Sequence, residues 1–211
     1  MIVLGLTGSI GMGKSTAAGM LRRLGVPVHD ADRVVHRLMA QGGAAVPAIA
    51  RAFPGAVRDG AVDRAALGRI VFADAAALKS LEDILHPMVR AAERRFLAAA
   101  ARRRVPLVVL DVPLLYETGG DARCDAVAVV SAPPLIQRQR VLARPGMTAA
   151  RLDAILRQQM PDREKRRRAD FVVPSGLGRA LTLRHLRDIV RVLRTRNGRR
   201  RKRHARNRAR H

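Results

Sequence analysis

Aromatic side chains are almost missing from this chain of 211 residues, which has four Phe, one Tyr and no Trp. Its core must therefore be built from Leu, Val, Ile and Ala, and a platform of rings for stacking single-stranded bases is not expected. Cysteine occurs once, at Cys124, so an internal disulfide and a four-cysteine zinc site are both excluded. No apolar run reaches the roughly 18 residues that a membrane-spanning helix needs. The opening residues, Met1 to Thr7, lack a charged leader and run straight into a glycine-rich loop, which argues against a signal peptide. A protein of the reducing cytoplasm, without a membrane partner, is the expectation.

Acids are scarce as well: 17 Asp and Glu stand against 41 Lys and Arg, a net charge of +24. Such an excess ordinarily points to nucleic acid or an anionic surface. Here it is unevenly spread. Ten of the cations lie between Arg194 and His211, a stretch without one acid, and leaving them out lowers the excess to +14. Much of the remainder is Arg scattered beside Ala along helical segments, which reads either as a binding face or as a compositional preference. With no helix-turn-helix, aromatic platform or zinc module in view, no specific nucleic-acid partner is expected. Residues 196–211 have no apolar periodicity and are expected to be disordered, dispensable for catalysis, and able to attract polyanions without sequence preference.

What the chain has in quantity is apolar residues, 48% of the total, enough for one large domain or a core domain carrying an insertion. Its organising stretch is Gly8-Ser9-Ile10-Gly11-Met12-Gly13-Lys14-Ser15-Thr16, a complete G-x-x-x-x-G-K-[ST] phosphate-binding loop. The apolar run Ile2 to Thr7 before it reads as a buried strand, and Ala17 to Leu24 after it as a helix. Glycines let the backbone turn its N–H groups inward at a helix N-terminus, where they attract phosphate. Gly11, Met12, Gly13, Lys14, Ser15 and Thr16 are thus candidates for holding ATP. Lys14 is expected at the β- and γ-phosphates and the Ser15 hydroxyl on Mg²⁺.

Val26 to Val28 begins a second strand ending at His29-Asp30-Ala31-Asp32. If extended geometry continues through Ala31, Asp30 and Asp32 face the same way, at the carboxyl end where an open parallel sheet binds ligands. Either acid is instead a suitable cap for a helix starting near Arg33. Helices are expected over 33–39, 44–53 and 63–72, and Asp74 caps a longer one that His86-Pro87 interrupts before it resumes to Ala101. This block, about 60–102, reads as an inserted helical substrate lobe, with His86 either meeting an anionic substrate or packing at a helix end. Val105 to Asp111 is a continuous apolar strand whose terminal carboxylate matches a second nucleotide-site signature, a ligand for Mg²⁺. Cys124 to Val130 gives a fourth strand and Phe171 to Val173 a fifth. Between them, helices bearing Arg138, Arg140 and Arg144 and running from Thr148 to Met160 form a lid at about 138–160, or else a solvated cationic face. A helix over 177–193 closes the chain.

These elements together resemble the dephospho-CoA kinase family. The matching segments are GLTGSIGMGKST at 5–16, DAD at 30–32, LHP at 85–87, DVPLLYE at 111–117, the Arg138/Arg140/Arg144 helix and QQMPDREKRRRADFVV at 158–173. The resemblance implies an α/β fold: a parallel five-stranded sheet of the P-loop kinase type flanked by helices, with a helical CoA lobe and a lid, over residues 1–195. It implies ATP-dependent phosphorylation of the ribose 3′-hydroxyl of dephospho-CoA, with ATP and dephospho-CoA as partners and Mg²⁺ as cofactor. By position, Asp32 would act on the attacking hydroxyl, as a base or by aiming it. Arg140 would serve the lid, with Lys14 at the phosphates and Asp30 and His86 toward the substrate. One departure is visible: the family commonly has Asn after the last strand, where this chain has Pro174-Ser175-Gly176. Another small-molecule or nucleoside-monophosphate kinase on the same core is the nearest rival, and a nucleic-acid-stimulated ATPase a more distant one. Oligomeric state is left open.

Overall fold

An apolar run with no polar face is stable as a strand only when both of its sides are covered, and in the computed structural model two such runs set the middle of the sheet. The structure describes residues 1–195 in full and only the helical backbone of 196–208; the expectation for the basic tail, 196–211, lies outside the described residues. In chain order the elements are β1 (Ile2–Thr7), α1 (Lys14–Arg23), β2 (Val28–Asp30), α2 (Ala31–Met39), α3 (Val46–Ala52), β3 (Val57–Arg58), β4 (Ala61–Val62), α4 (Arg64–Val71) and α5 (Ala75–Arg102). They continue with β5 (Leu107–Asp111), β6 (Ala126–Ser131), α6 (Pro134–Leu142), α7 (Ala149–Arg157), α8 (Asp162–Arg168), β7 (Phe171–Pro174) and α9 (Arg179–Arg208). The chain divides into two compact units, one of Met1–His29 with Ala100–His211 and one of Asp30–Ala99.

The first unit is built on a five-stranded sheet of order β2-β5-β1-β6-β7. Strand β1 pairs in parallel with β5 on one side and β6 on the other, and β6 pairs in parallel with β7. Every residue of β5 and β6 is buried. Alternation along β6 shows why: Ala126, Ala128 and Val130 pack with Leu4, Leu6, Leu21 and Leu186, while Val127 and Val129 pack with Leu115 and Tyr116. Each fully buried Leu contributes about 1.5 to 3 kcal/mol, so a core of aliphatics suffices without aromatics. The five expected strands are present, with ends shifted by one or two residues. Helix α8 was not expected; its sequence DREKRRR has no apolar period.

The second unit has its own core of Met39, Ile49, Phe53, Ala56, Leu67 and Val71. Two features here correct the sequence reading. Helix α5 runs unbroken through His86-Pro87: Leu78, Leu81, Ile84, Leu85 and Met88 keep one face packed on that core across the proline, which outweighs the hydrogen bond that Pro87 cannot donate. A small antiparallel hairpin, β3 with β4, turns at Asp59-Gly60, both with positive φ (49° and 72°). That Asp-Gly pair is the residue combination such a turn requires.

Asp63 caps α4, its Oδ1 accepting from the N–H groups of Ala65 and Ala66 at 3.0 Å each. The Ala66 N–H foremost holds the Asp63 carboxyl below its usual range. At the start of α5, Asp74 Oδ1 accepts from Ala76 N at 2.8 Å.

Candidate active site

Strand β1 is clamped between two neighbours, so its carboxyl end is a fixed point from which the loop 8–13 departs. Helix α1 starts earlier than the apolar pattern indicated, at Lys14, which places Lys14, Ser15 and Thr16 in its first turn. Their backbone N–H groups have no intrahelical acceptor there, and the helix dipole adds to the attraction for an anion. Gly13 takes the position before the helix in the left-handed region, φ 86°, open to glycine at no steric cost. Gly11 is left-handed too, and a Cβ on it would stand 2.5 Å from Val141 Cγ2 and 3.0 Å from the Gln137 carbonyl oxygen.

Three side chains from distant parts of the first unit, together with the loop's own Met12, fix this loop. Gln137 Nε2 donates to Ile10 O at 2.8 Å, and Ile10 N donates to Gln159 Oε1 at 3.1 Å. Ser175 Oγ donates to Met12 O at 2.6 Å. Met12 itself turns inward, and its sulfur accepts from Ala132 N at 3.1 Å. Holding Ile10 through both its N–H and its carbonyl, and Met12 through its carbonyl, keeps the loop backbone in one conformation, which is the preorganisation that anion binding needs.

Lys14 and Asp111 meet at the head of the loop, Nζ to Oδ1 2.7 Å. The Asp111 side chain is almost wholly buried and the Lys14 side chain 13% exposed, so the pair is screened little by solvent. Ser15 and Thr16 are exposed. Arg140 points its guanidinium at Ser175, donating from Nη1 to the side-chain oxygen at 3.0 Å and from Nη2 to the backbone oxygen at 2.6 Å. Arg144 lies one residue beyond the end cap of α6 and is exposed. It is therefore not a helical residue, which corrects the expectation that α6 carries it.

Behind the loop a buried polar junction ties down the segment after α7. Lys165, with no side-chain exposure, forms a 2.8 Å ion pair with Glu117 Oε1, which also accepts from Met160 N at 2.9 Å. Burial by itself pushes the Glu117 carboxyl up, but the Lys165 ammonium and the Met160 N–H outweigh it and hold the group below its usual range. Ser131 Oγ donates to Asp162 Oδ2 at 2.7 Å. Tyr116 lies under the Arg168 guanidinium, 4.6 Å from its carbon, and burial followed by the nearby Asp121 pushes its hydroxyl up to about 12. Tyr116 therefore stays protonated near neutrality and is no candidate for a general base.

The remaining expected site residues belong to the second unit. Extended backbone does not continue through Ala31, because α2 starts there. The expectation that Asp30 and Asp32 face one way along a strand is thus corrected. Asp30 caps the helix, its Oδ1 accepting from Arg33 N at 3.0 Å. Asp32 sits in the first turn, exposed and outside that cap. His86 is an exposed residue on α5. The roles of Gln137, Gln159, Glu117 and Lys165 were not foreseen, although Gln159 and Lys165 fall within the 158–173 segment and Glu117 ends the 111–117 one.

A strand that enters a glycine-turned loop and opens a helix, with the loop lysine paired to the carboxylate ending the neighbouring parallel strand, defines a P-loop kinase. The family model for dephospho-CoA kinase matches residues 2–177. The chain belongs to the dephospho-CoA kinase family. It is 71% identical over 166 residues to the dephospho-CoA kinase of Paramagnetospirillum magneticum, covering 79% of this chain and 78% of that one. To the enzyme of the same name from Mesorhizobium japonicum it is 60% identical over 178 residues, covering 84% and 89%. A crystal structure from Thermus thermophilus superposes with a TM-score of 0.79 at 40% identity, covering 90% of this chain and 96% of the other.

Proposed function

We propose that this chain transfers the γ-phosphoryl group of ATP to the ribose 3′-hydroxyl of dephospho-CoA, yielding coenzyme A and ADP in the last step of coenzyme A synthesis. The observation that carries the reading is the Lys14–Asp111 pair at the head of a loop strapped from behind, in a chain of this family. The bond formed joins the 3′-oxygen to the γ-phosphorus, and the bond broken joins that phosphorus to the oxygen bridging to the β-phosphate. The hydroxyl proton passes to a carboxylate.

Phosphoryl transfer runs through a loose transition state, so placement and charge neutralisation matter more than proton removal. Gly11 to Thr16 would hold the phosphates through backbone N–H groups, and Lys14 would place its ammonium on the β- and γ-oxygens. Arg140 would neutralise charge on the transferring group, with Arg144 reaching ATP as the 138–160 lid closes. Asp32 would aim the hydroxyl and accept its proton late. Since Asp30 already carries the α2 cap, Asp32 is the acid with no structural duty there. Asp30 and His86 would contact dephospho-CoA, and the helical segment of about 60–102 would form its lobe.

Ser15 and Asp111 offer hard oxygen donors, which fit Mg²⁺. Among the described residues no group of three or more His, Cys, Asp or Glu is placed to hold a metal, so a divalent ion would rest chiefly on phosphate oxygens and water, the manner of Mg²⁺. When bound, Mg²⁺ supplies charge neutralisation to the phosphates. Among the described residues no helix is long and apolar enough to cross a membrane, and a cytoplasmic setting suits the reaction. The 196–211 tail would add only salt-sensitive affinity for polyanions, and its removal should leave turnover intact.

The test is the mass of the product formed from purified protein, ATP, Mg²⁺ and dephospho-CoA, with AMP, shikimate and gluconate as rival acceptors. One added phosphate on dephospho-CoA alone is the expected result. Phosphorylation of a rival acceptor instead, or ATP hydrolysis stimulated by DNA or RNA with no phosphorylated product, would overturn the reading.

A further inference from the structure

Ser175 stands directly after β7. It is 8% exposed, and its hydroxyl is used twice: it donates to Met12 O at 2.6 Å and accepts from Arg140 Nη1 at 3.0 Å. Its backbone oxygen accepts the other arm of the same guanidinium at 2.6 Å. Ser175 is itself fixed, its N–H donating to Ser131 O at 2.8 Å. Strand β6, the turn after β7, the arginine of α6 and the phosphate loop are thereby joined through one residue, its hydroxyl linking the loop to the arginine and its backbone linking both to β6. The geometry is close on every side: a Cβ on Gly13 would stand 3.2 Å from Ser175 Oγ and 3.6 Å from Arg140 Nη1.

We propose that Ser175 is a positioning residue for Arg140, holding its guanidinium beside Gly13 of the loop so that the cation is in place for the transferring phosphate. The inference rests on the role given to Arg140 above. A long arginine loses much rotamer freedom when it is held in one place. Two charge-assisted contacts to a buried, doubly used serine offset that loss within the free enzyme, and the ordering need not occur during the reaction. The hydroxyl serves here because it can donate to a loop carbonyl and accept from a guanidinium at once.

A double-mutant cycle on the full chain tests this, with kcat and KM for ATP and the melting temperature measured for R140A, S175A, S175T and R140A/S175A. R140A should lower kcat about a hundredfold or more. S175A should lower kcat about tenfold, change KM for ATP less than kcat, and cost nothing further in the R140A background. S175T, which keeps the hydroxyl, should recover most of the loss if it melts as the parent does. An equal loss of kcat from S175A in both backgrounds would mean that Ser175 acts on the loop and not through Arg140, and would overturn the inference. So would unchanged kcat in S175A. Full activity in R140A would remove the role of Arg140 itself, a distinct failure read from the single variant.

Discussion

Lys14 Nζ stands 2.7 Å from Asp111 Oδ1, so the one ammonium of the phosphate loop is paired with the carboxylate that ends the adjacent strand. Two opposite charges, both largely withdrawn from water, are arranged so that each fixes the other's rotamer. Replacing Lys14 by Ala removes a cation from the phosphates and leaves Asp111 as a buried carboxylate without this partner. Turnover should fall about a hundred- to a thousandfold, or about 2.7 to 4 kcal/mol of transition-state stabilisation. D111N keeps the shape and removes the charge, so it should raise the Mg²⁺ concentration needed for half-maximal rate. Initial rates across a Mg²⁺ titration check both, and a K14A enzyme within threefold of the parent would contradict the assignment.

The loop's shape is open to a stability test. Gly11 has φ 77°, and any side chain there meets Val141 Cγ2 at 2.5 Å and a backbone oxygen at 3.0 Å. G11A therefore combines left-handed strain with overpacking, together on the order of 3 kcal/mol, which corresponds to roughly 6 to 12 °C in melting temperature for a chain of this size. Gly146 has a similar φ of 70° with nothing within 4 Å, so G146A should cost only the backbone strain, about 1 to 2 kcal/mol. Thermal melts of the two variants compare them directly; equal losses would mean that contact with α6 does not confine the loop.

Much of this was legible in the residues themselves. The motif 8–16 marked the strand, turn and helix found there, because its glycines suit a tight left-handed turn that opens a helix, and the apolar runs of β1, β5 and β6 needed no polar face. Other features escaped local patterns. Strand β2 is three residues long and turns helical at Ala31, so alternation failed between Asp30 and Asp32. Pro87 reads as a break only while the packing of Leu81, Ile84, Leu85 and Met88 is unknown. The tethers on the loop are longer still: Ser175 and Met12 are 163 residues apart, and no periodicity records a contact over that distance. The departure at Ser175 was visible, but its bond to Arg140 was not.

Asp32 offers a separation of chemistry from binding. It lies outside the cap that Asp30 provides for α2 and is exposed, so Asp32→Asn should leave the fold intact, with melting temperature within about 1 to 2 °C of the parent. Turnover should fall at least a hundredfold, since an amide cannot take the hydroxyl proton and is a weaker acceptor for aiming that hydroxyl than a carboxylate. Affinity for ATP, read by equilibrium titration, should change less than threefold. D30A, by contrast, removes a helix cap and should cost about 0.5 to 2 kcal/mol of stability. A D32N enzyme with parental kcat would remove Asp32 from the chemistry.

The Glu117–Lys165 pair carries a pH dependence whose sign follows from the direction of the Glu117 shift. Its carboxyl is held below the ordinary glutamate range in the folded chain, so between the folded and unfolded values the unfolded chain binds more protons and stability rises with pH. The contribution is complete above about pH 5 and is lost as pH falls through the folded-state value. E117Q leaves the Lys165 ammonium buried without its partner, and breaking such a pair costs about 3 kcal/mol. The difference in melting temperature between parent and E117Q should stay constant from pH 8 to about pH 5 and shrink below it. Adding K165M to E117Q removes the unpaired cation, so the double variant should be more stable than E117Q alone, a coupling that separate and independent effects would not give. A gap that persists unchanged down to pH 3, or a double variant as unstable as the sum of the singles, would show that the pair is not what pins the segment carrying Gln159 to the back of the loop.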